Sequence, residues 1–295
     1  MNRKSGKDPQ RAIAELELAV AAPLKYARHF TELDELYAAQ NVAPEKRLAL
    51  LEQNHRVVAM RDDALSREIG LKVFCGKYDE AIQLMTGRKF SVWEGGSLDV
   101  ADHWLDAHLL RGRQRLQSGQ AASALADFEA AKAIPENLPT ERELGRDAEL
   151  AWWLGMGYEA AGNPAKAKDN WEQAAKAGAE GRGGRGGRIS PQSTQIFYEA
   201  LANRKLGNSS AAEDALKKLL EAAKADLQKE KATEQRLKTE RRPRNSGPGL
   251  SHYVAGLAHL GLGESEAAKE QFTAALAASP DLLGAKAALD GLRFW

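Results

Sequence analysis

The sequence predicts an all-α fold built from tandem helical hairpins, and three observations carry that prediction. Hydrophobic residues make up 43% of the chain while aromatic residues make up only 6%, and alanine is abundant. Alanine has the highest helix propensity and lets helices pack closely. No stretch alternates between apolar and polar residues over the length of a strand. A pattern of small and large residues also recurs along the chain.

The recurring pattern spans two consecutive helices. The first carries a small residue, a large residue three positions on, and a glycine four positions later; the second carries Ala, a large apolar residue and Ala. A small mid-helix residue lets the paired helix approach closely, and a glycine just past a helix end adopts positive φ. The clearest copy has Gly155, Tyr158 and Gly162, then Ala167, Trp171 and Ala174.

Further copies are centred on Gly112, Ala200 and Gly256, with a less regular one at Gly70. Their separation exceeds the ~34 residues of a tetratricopeptide repeat. The additional residues follow the second helices, at 135–146, 178–192 and 221–249. The sequence therefore predicts an all-α, tetratricopeptide-like helical-hairpin solenoid with long inter-repeat inserts.

We expect a single array over residues 1–295, divided into segments of different character. Residues 1–60 form N-terminal helices, 61–90 an irregular repeat, and 91–104 a loop rich in Trp and Gly. The repeats follow at 105–134, 148–178, 193–222 and 249–280, and a capping helix ends the array at 281–295.

Five local sequences resemble a known family, and Trp93-Glu94-Gly95-Gly96 is the most specific of them. The chain is similar, over nearly its whole length, to the tetratricopeptide-repeat C-terminal region of bacterial proteins carrying domain of unknown function five-one-zero-seven. The similarity is lost at 181–188 and 227–244. It implies a scaffold without a defined activity, cut from a longer protein whose N-terminal part resembles sugar-binding β-sandwiches. The matching sequences are residues 32–37, 47–54, 61–64, 90–96 and 134–138.

Tetratricopeptide arrays bind partners along the face made by their first helices, so the corresponding positions are a candidate groove. This analogy favours a protein-protein interaction scaffold that binds a protein, a peptide or its own missing N-terminal domain. The alternative is that these residues only pack or cap helices. The predicted groove residues are Arg113, Trp152, Met156, Glu159, Phe197, Arg204 and Tyr253.

A second candidate site is a ligand loop formed by Trp93, Glu94, His103 and Trp104. Two indoles beside a carboxylate can stack on a sugar, which would suit an accessory region of a carbohydrate-active or sugar-binding protein. The alternative, which we favour, is that the loop tryptophans pack on the helices.

Two basic segments are interpreted as solvated chain. Residues 181–186 satisfy G-x-G-x-x-G, but no strand precedes them, so a flexible linker is favoured over a dinucleotide site. An RNA contact through Arg182, Arg185 and Arg188 is a further alternative. The charged residues of 217–244 suit an exposed helix, although Arg241-Arg242-Pro243-Arg244 could contact an acidic partner.

Several classes of function lack support in the sequence. The net charge of +1 gives no general attraction to nucleic acid or membranes. Cys75 is the only cysteine, and no metal-binding or catalytic motif occurs. We therefore expect no enzymatic activity, no catalytic or metal-ligating residues and no cofactor. The absence of a signal-peptide pattern favours the cytoplasm, and solenoid ends could pair two copies of the chain.

Overall fold

The computed structural model describes residues 9–92, 98–139, 144–177, 189–237 and 248–292, with side chains omitted for 231–237. Throughout these ranges the regular secondary structure is helical, as predicted. The chain divides into two compact units, unit 1 comprising Met1–Ala107 and Ile134–Arg142, and unit 2 comprising His108–Ala133 and Glu143–Trp295. We expected a single array, so each unit is considered by itself below.

Unit 1 is a set of short helices around one apolar core. Its central side chains, Phe30, Leu33, Leu51 and Val58, are almost completely inaccessible to solvent. Its helices are α1 (Pro9–Ala21), α2 (Ala27–Ala39), α3 (Pro44–Gln53), α4 (His55–Val58), α5 (Asp62–Phe74), α6 (Tyr78–Met85) and the beginning of α7 (Val100–Gln117).

A buried ion pair joins α2 to α3. Asp34 and Arg47 are only 2% and 3% exposed, and Arg47 donates from Nε and Nη2 to the two carboxylate oxygens over 2.8 and 3.0 Å. A bidentate pair of this kind satisfies both groups and fixes their orientation. The polar pair therefore sets how the two helices meet.

The segment after α8 returns to unit 1 through Asn137. Its Nδ2 donates to the carbonyl oxygens of Met85 over 2.9 Å and Arg88 over 2.6 Å, and its own carbonyl accepts from the N–H of Phe90 over 3.0 Å. Three backbone groups at the end of α6 are satisfied by one residue from a distant part of the sequence. The beginning of the first predicted insert is thus a structural element of unit 1.

Unit 2 contains the regular hairpins. Each first helix packs on the second helix that follows it, as the repeat pattern predicts. The helices are the remainder of α7, then α8 (Ala121–Lys132), α9 (Asp147–Ala160), α10 (Pro164–Ala177), a 3-10 helix (Pro191–Thr194), α11 (Gln195–Lys205), α12 (Ser209–Leu237), α13 (Gly249–Gly261), α14 (Ser265–Ala278) and α15 (Leu283–Asp290).

The small mid-helix residues lie where the sequence places the closest helix contacts. A Cβ atom on Gly112 would come within 2.5 Å of the Phe128 ring, and one on Gly155 would overlap the indole of Trp171. No side chain fits at either position without movement of the partner ring. The glycine past the end of α9, Gly162, has φ of +75°, again as predicted.

The inserts differ in structure. The helix α12 continues to Leu237, so most of the described part of the third insert lengthens a second helix. Residues 178–188 of the second insert lie outside the described ranges. None of the helices described here is both long and apolar enough to cross a membrane.

Candidate functional site

Arg113 occupies the centre of the candidate site in unit 2. It lies on α7, is 8% exposed, and places its guanidinium carbon 4.8 Å from the ring centroid of Trp153 on α9. Its Nη2 donates to the backbone carbonyl of Ala287 on α15 over 3.3 Å. One buried cation therefore contacts both an aromatic ring and the C-terminal helix.

Tyr253 forms a second contact with the same helix. Its ring lies 6.0 Å from the ring of Phe272, and a Cβ atom on Gly284 would be 2.7 Å from its hydroxyl oxygen. Tyr253 is 9% exposed because α15 lies against it. We call Arg113, Trp153 and Tyr253 the α15 face.

Two further polar side chains, Tyr198 and Glu149, lie on first helices of unit 2. Tyr198 on α11 donates its hydroxyl to Oε1 of Glu149 on α9 over 2.9 Å. Arg146 donates to Oε2 of Glu149 over 2.8 Å. Burial, together with the charge of Glu149, raises the pKa of Tyr198 well above its usual value. The phenol thus stays protonated and serves as a donor.

Two predicted groove residues belong to the core. Phe197 is 0% exposed and packs edge-on against Tyr198, with ring centroids 5.1 Å apart. Trp152 is also buried, with its ring 6.4 Å from that of Trp171. We expected both to line an accessible groove; they do not, because neighbouring rings cover them. These two side chains therefore pack in the core, which is the alternative to groove binding given for them above.

Three other predicted groove residues are not part of the α15 face. Arg204 donates from Nη2 to the carbonyl of Gly261 over 2.7 Å, so it caps the end of α13. Glu159 is exposed and pairs with Lys205 over 2.7 Å. Met156 is half-buried. The structure thus brings Arg113 and Tyr253 to one helix and leaves the other groove residues in separate contacts.

Only half of the predicted ligand loop can be located, since Trp93 and Glu94 lie outside the described residues. His103 and Trp104 are on α7 and half-buried. The imidazole of His103 covers Gly70, where an added Cβ would lie 2.8 Å from the ring. Burial lowers the pKa of His103. His103 is therefore a packing residue of unit 1, contrary to its predicted place in a loop.

The basic segments at 181–188 and 241–244 also fall outside the described residues. Within the described ranges, no group of three or more His, Cys, Asp or Glu side chains is arranged to hold a metal ion.

A buried charge cluster in the first hairpin was not predicted from the sequence. Asp127 on α8 is 1% exposed and contacts His108 at 3.1 Å, Arg111 at 2.6 Å and Arg115 at 2.9 Å. Burial acts to raise the pKa of Asp127, but the hydrogen bonds from His108 and Arg111 outweigh it and lower the pKa. A signal was present in the sequence: the three basic residues are spaced three and four positions apart, so they lie on one face of α7.

A family model of the tetratricopeptide repeat matches residues 251–282, which cover nearly all of α13 and the whole of α14. The fold is also similar to a chain in the crystal structure of the APC/C hetero-tetramer Cut9-Hcn1, with a TM-score of 0.42 and 16% identity. That alignment covers 97% of this chain and 46% of the other, so the chain spans less than half the length of that neighbour.

The repeat match and the helical hairpins together support a protein-interaction scaffold. The tetratricopeptide-repeat match gives no support to the carbohydrate-related alternative.

Proposed function

We propose that this protein is an interaction scaffold that binds a short helical segment of a partner on the α15 face of unit 2. The observation that carries the proposal is that Arg113 and Tyr253 contact a helix of the same chain, α15. The partner is a protein, a peptide or a neighbouring domain of a longer chain.

The chemistry of Arg113 suits the C-terminal end of a helix. The last carbonyls of a helix have no partner within it and carry partial negative charge. Ala287 is in the last turn of α15, and its carbonyl accepts from the N–H of Gly291 over 3.1 Å as well as from Arg113. A guanidinium held over an indole is also typical of residues that contribute most to interfaces.

The chemistry of Tyr253 suits a helix face with small residues. Its ring is supported from behind by Phe272, so it offers a fixed flat surface. Aromatic and Arg side chains of this kind are enriched in the centres of protein interfaces. Met156 and Glu159, which are more accessible, are retained as candidate contacts beyond the α15 face.

Selection of helical peptides tests the proposal directly. The full-length Gly284→Leu variant serves as bait, because a side chain at residue 284 would clash with Tyr253 and uncover the face. Peptides displayed from the proteome of the source organism are enriched on it and then measured against the same chain carrying Arg113→Ala. We expect binding at least about tenfold weaker, since a central Arg commonly contributes more than 1.4 kcal/mol.

A matched control is Lys168→Ala in the same background, because Lys168 is an exposed residue of the second helix α10. Circular dichroism verifies that each bait is folded. Enriched peptides that bind the Arg113→Ala and Lys168→Ala baits equally, or an absence of enrichment on folded bait, contradict the proposal.

A further inference from the structure

We infer that α15 is an exchangeable occupant of its own binding face, and that a partner helix binds by displacing it and by matching its pattern of small residues. This inference rests on the proposed function and names both the class of ligand and the competitor that the ligand must overcome.

The fully buried side chains of α15 are small. They are Ala285 and Ala288, whereas Leu283 and Leu289 remain partly exposed. Gly284 and Gly291 lie against Tyr253 and Arg113 and contribute no side chain at all. Because hydrophobic stabilisation scales with the apolar area removed from water, this contact is weaker than one in which the two leucines were fully buried.

The hydrogen bond that joins α15 to Arg113 is long. It runs from the guanidinium to the carbonyl of Ala287 over 3.3 Å, which is beyond the usual range for an N–H donor. The ion pair of Lys286 with Asp290 over 2.6 Å lies within α15 itself. The long hydrogen bond to Arg113 is therefore consistent with reversible docking.

The side chains of the α15 face are supported by contacts outside α15. Arg113 is stacked on Trp153, and Tyr253 packs on Phe272; none of these partners belongs to α15. A preformed site loses less conformational entropy when it binds a ligand. Displacement of α15 thus leaves a site ready for another helix.

The connection from α14 to α15 is short. That helix ends at Ala278, and Gly249 packs closely against the next residue, Ser279. Only Pro280, Asp281 and Leu282 separate Ser279 from α15. Because α14 ends before this connection, α15 can leave the face while the last hairpin remains folded.

The small residues define the partner. A side chain at the position of Gly284 would meet Tyr253, and one at Gly291 would come within 2.8 Å of Nη2 of Arg113. The partner is therefore a helix of about two turns with small residues at positions equivalent to 284, 288 and 291. Its C-terminal end lies towards Arg113.

The test uses a fluorescein-labelled peptide of residues 279–292 added to the full-length chain. Fluorescence anisotropy gives its affinity for the wild type, for Gly284→Leu, and for the control Lys286→Ala, which leaves the small-residue face intact. Binding to Gly284→Leu is expected to be about tenfold tighter, since an occupied face lowers apparent affinity by its free fraction. Lys286→Ala should behave as the wild type.

Hydrogen exchange measured by mass spectrometry reports directly on α15. Residues 283–290 should lose amide protection in Gly284→Leu, while α13 and α14 keep theirs. Should α15 stay protected, the double variant Gly284→Leu/Gly291→Leu is measured; protection that persists there overturns the inference that α15 exchanges.

The remaining outcomes separate the inference from the proposed function. Equal peptide affinity for the wild type and for a variant with displaced α15 overturns competition by α15 but leaves helix binding intact. No binding to a chain with displaced α15 contradicts the proposed function itself. A peptide carrying leucine at position 284 should bind at least about tenfold more weakly to the uncovered face, and equal binding overturns the small-residue requirement.

Discussion

Tyr198 donates its hydroxyl to Glu149 across two neighbouring repeats, over 2.9 Å, and both side chains are less than a tenth exposed. Tyr198→Phe removes one of the donors to a buried carboxylate. We expect the free energy of unfolding to fall by about 1–3 kcal/mol, measured by urea denaturation.

The matched control for this variant is Tyr158→Phe. Tyr158 donates to Glu129 over 3.1 Å at an exposed site, where water can replace the lost donor. We expect a loss below about 1 kcal/mol there. Equal losses for the two variants would show that burial does not determine the value of the bond.

Alkaline pH should weaken unit 1 through Tyr37. Burial and the hydrogen bond to Glu17 raise the pKa of Tyr37 from 10.0 to about 12. The folded state therefore retains the phenolic proton more strongly than the unfolded state. Its stabilising contribution is complete below pH 10 and is lost as pH rises towards 12.

The measurement compares wild type with Tyr37→Phe by chemical denaturation between those two pH values. Their difference in unfolding free energy should shrink by about 1–2 kcal/mol over this window, allowing for solvent screening. Curves that stay parallel would show that Tyr37 titrates alike in the folded and unfolded chain.

Asp127→Asn should be among the most destabilising single changes in unit 2. It keeps the volume of the side chain but removes the charge that compensates Arg111 and Arg115. Leaving charges uncompensated near a buried site costs about 3–5 kcal/mol, measurable by thermal or urea unfolding. The exposed Asp169→Asn on α10 is the control, expected within about 0.5 kcal/mol of wild type.

Gly155→Ala tests the closest helix approach in the second hairpin. Alanine has a helix propensity higher by about 1 kcal/mol, but its Cβ would overlap the Trp171 indole. We expect the free energy of unfolding, measured by urea denaturation, to fall by about 1–3 kcal/mol, because the cost of overpacking exceeds the gain in helix propensity.

Ala160→Gly, at an exposed position of the same helix, tests helix propensity alone. Its free energy of unfolding should fall by up to about 1 kcal/mol. A gain in stability for Gly155→Ala would mean that the two helices separate more easily than their contact suggests.

The hairpins could be predicted from sequence because their determinants are local. Gly155 and Trp171 lie within one repeat, and their spacing recurs at Gly112 with Phe128 and at Gly256 with Phe272. Each pair meets in the structure as the pattern requires. Repetition of one short-range rule is therefore enough to specify the hairpin.

The candidate site could not be predicted in the same way. Arg113 and Ala287 are 174 positions apart, and no periodicity links them. The position of Phe197 in its repeat resembles that of Tyr253, yet one is fully buried by neighbouring rings and the other lies under α15. Position within a repeat identifies the first-helix face, whereas what covers each residue depends on distant parts of the chain.

The return of Asn137 to unit 1 has a consequence for the order in which the chain can fold. The N–H of Phe90 and the carbonyls of Met85 and Arg88 find their partner only in a residue that follows α8. A ribosome delivers the first hairpin of unit 2 before it delivers this residue. Unit 1 is therefore completed late during synthesis, and a fragment cut at Ala107 lacks Asn137 and the hydrogen bonds that it makes.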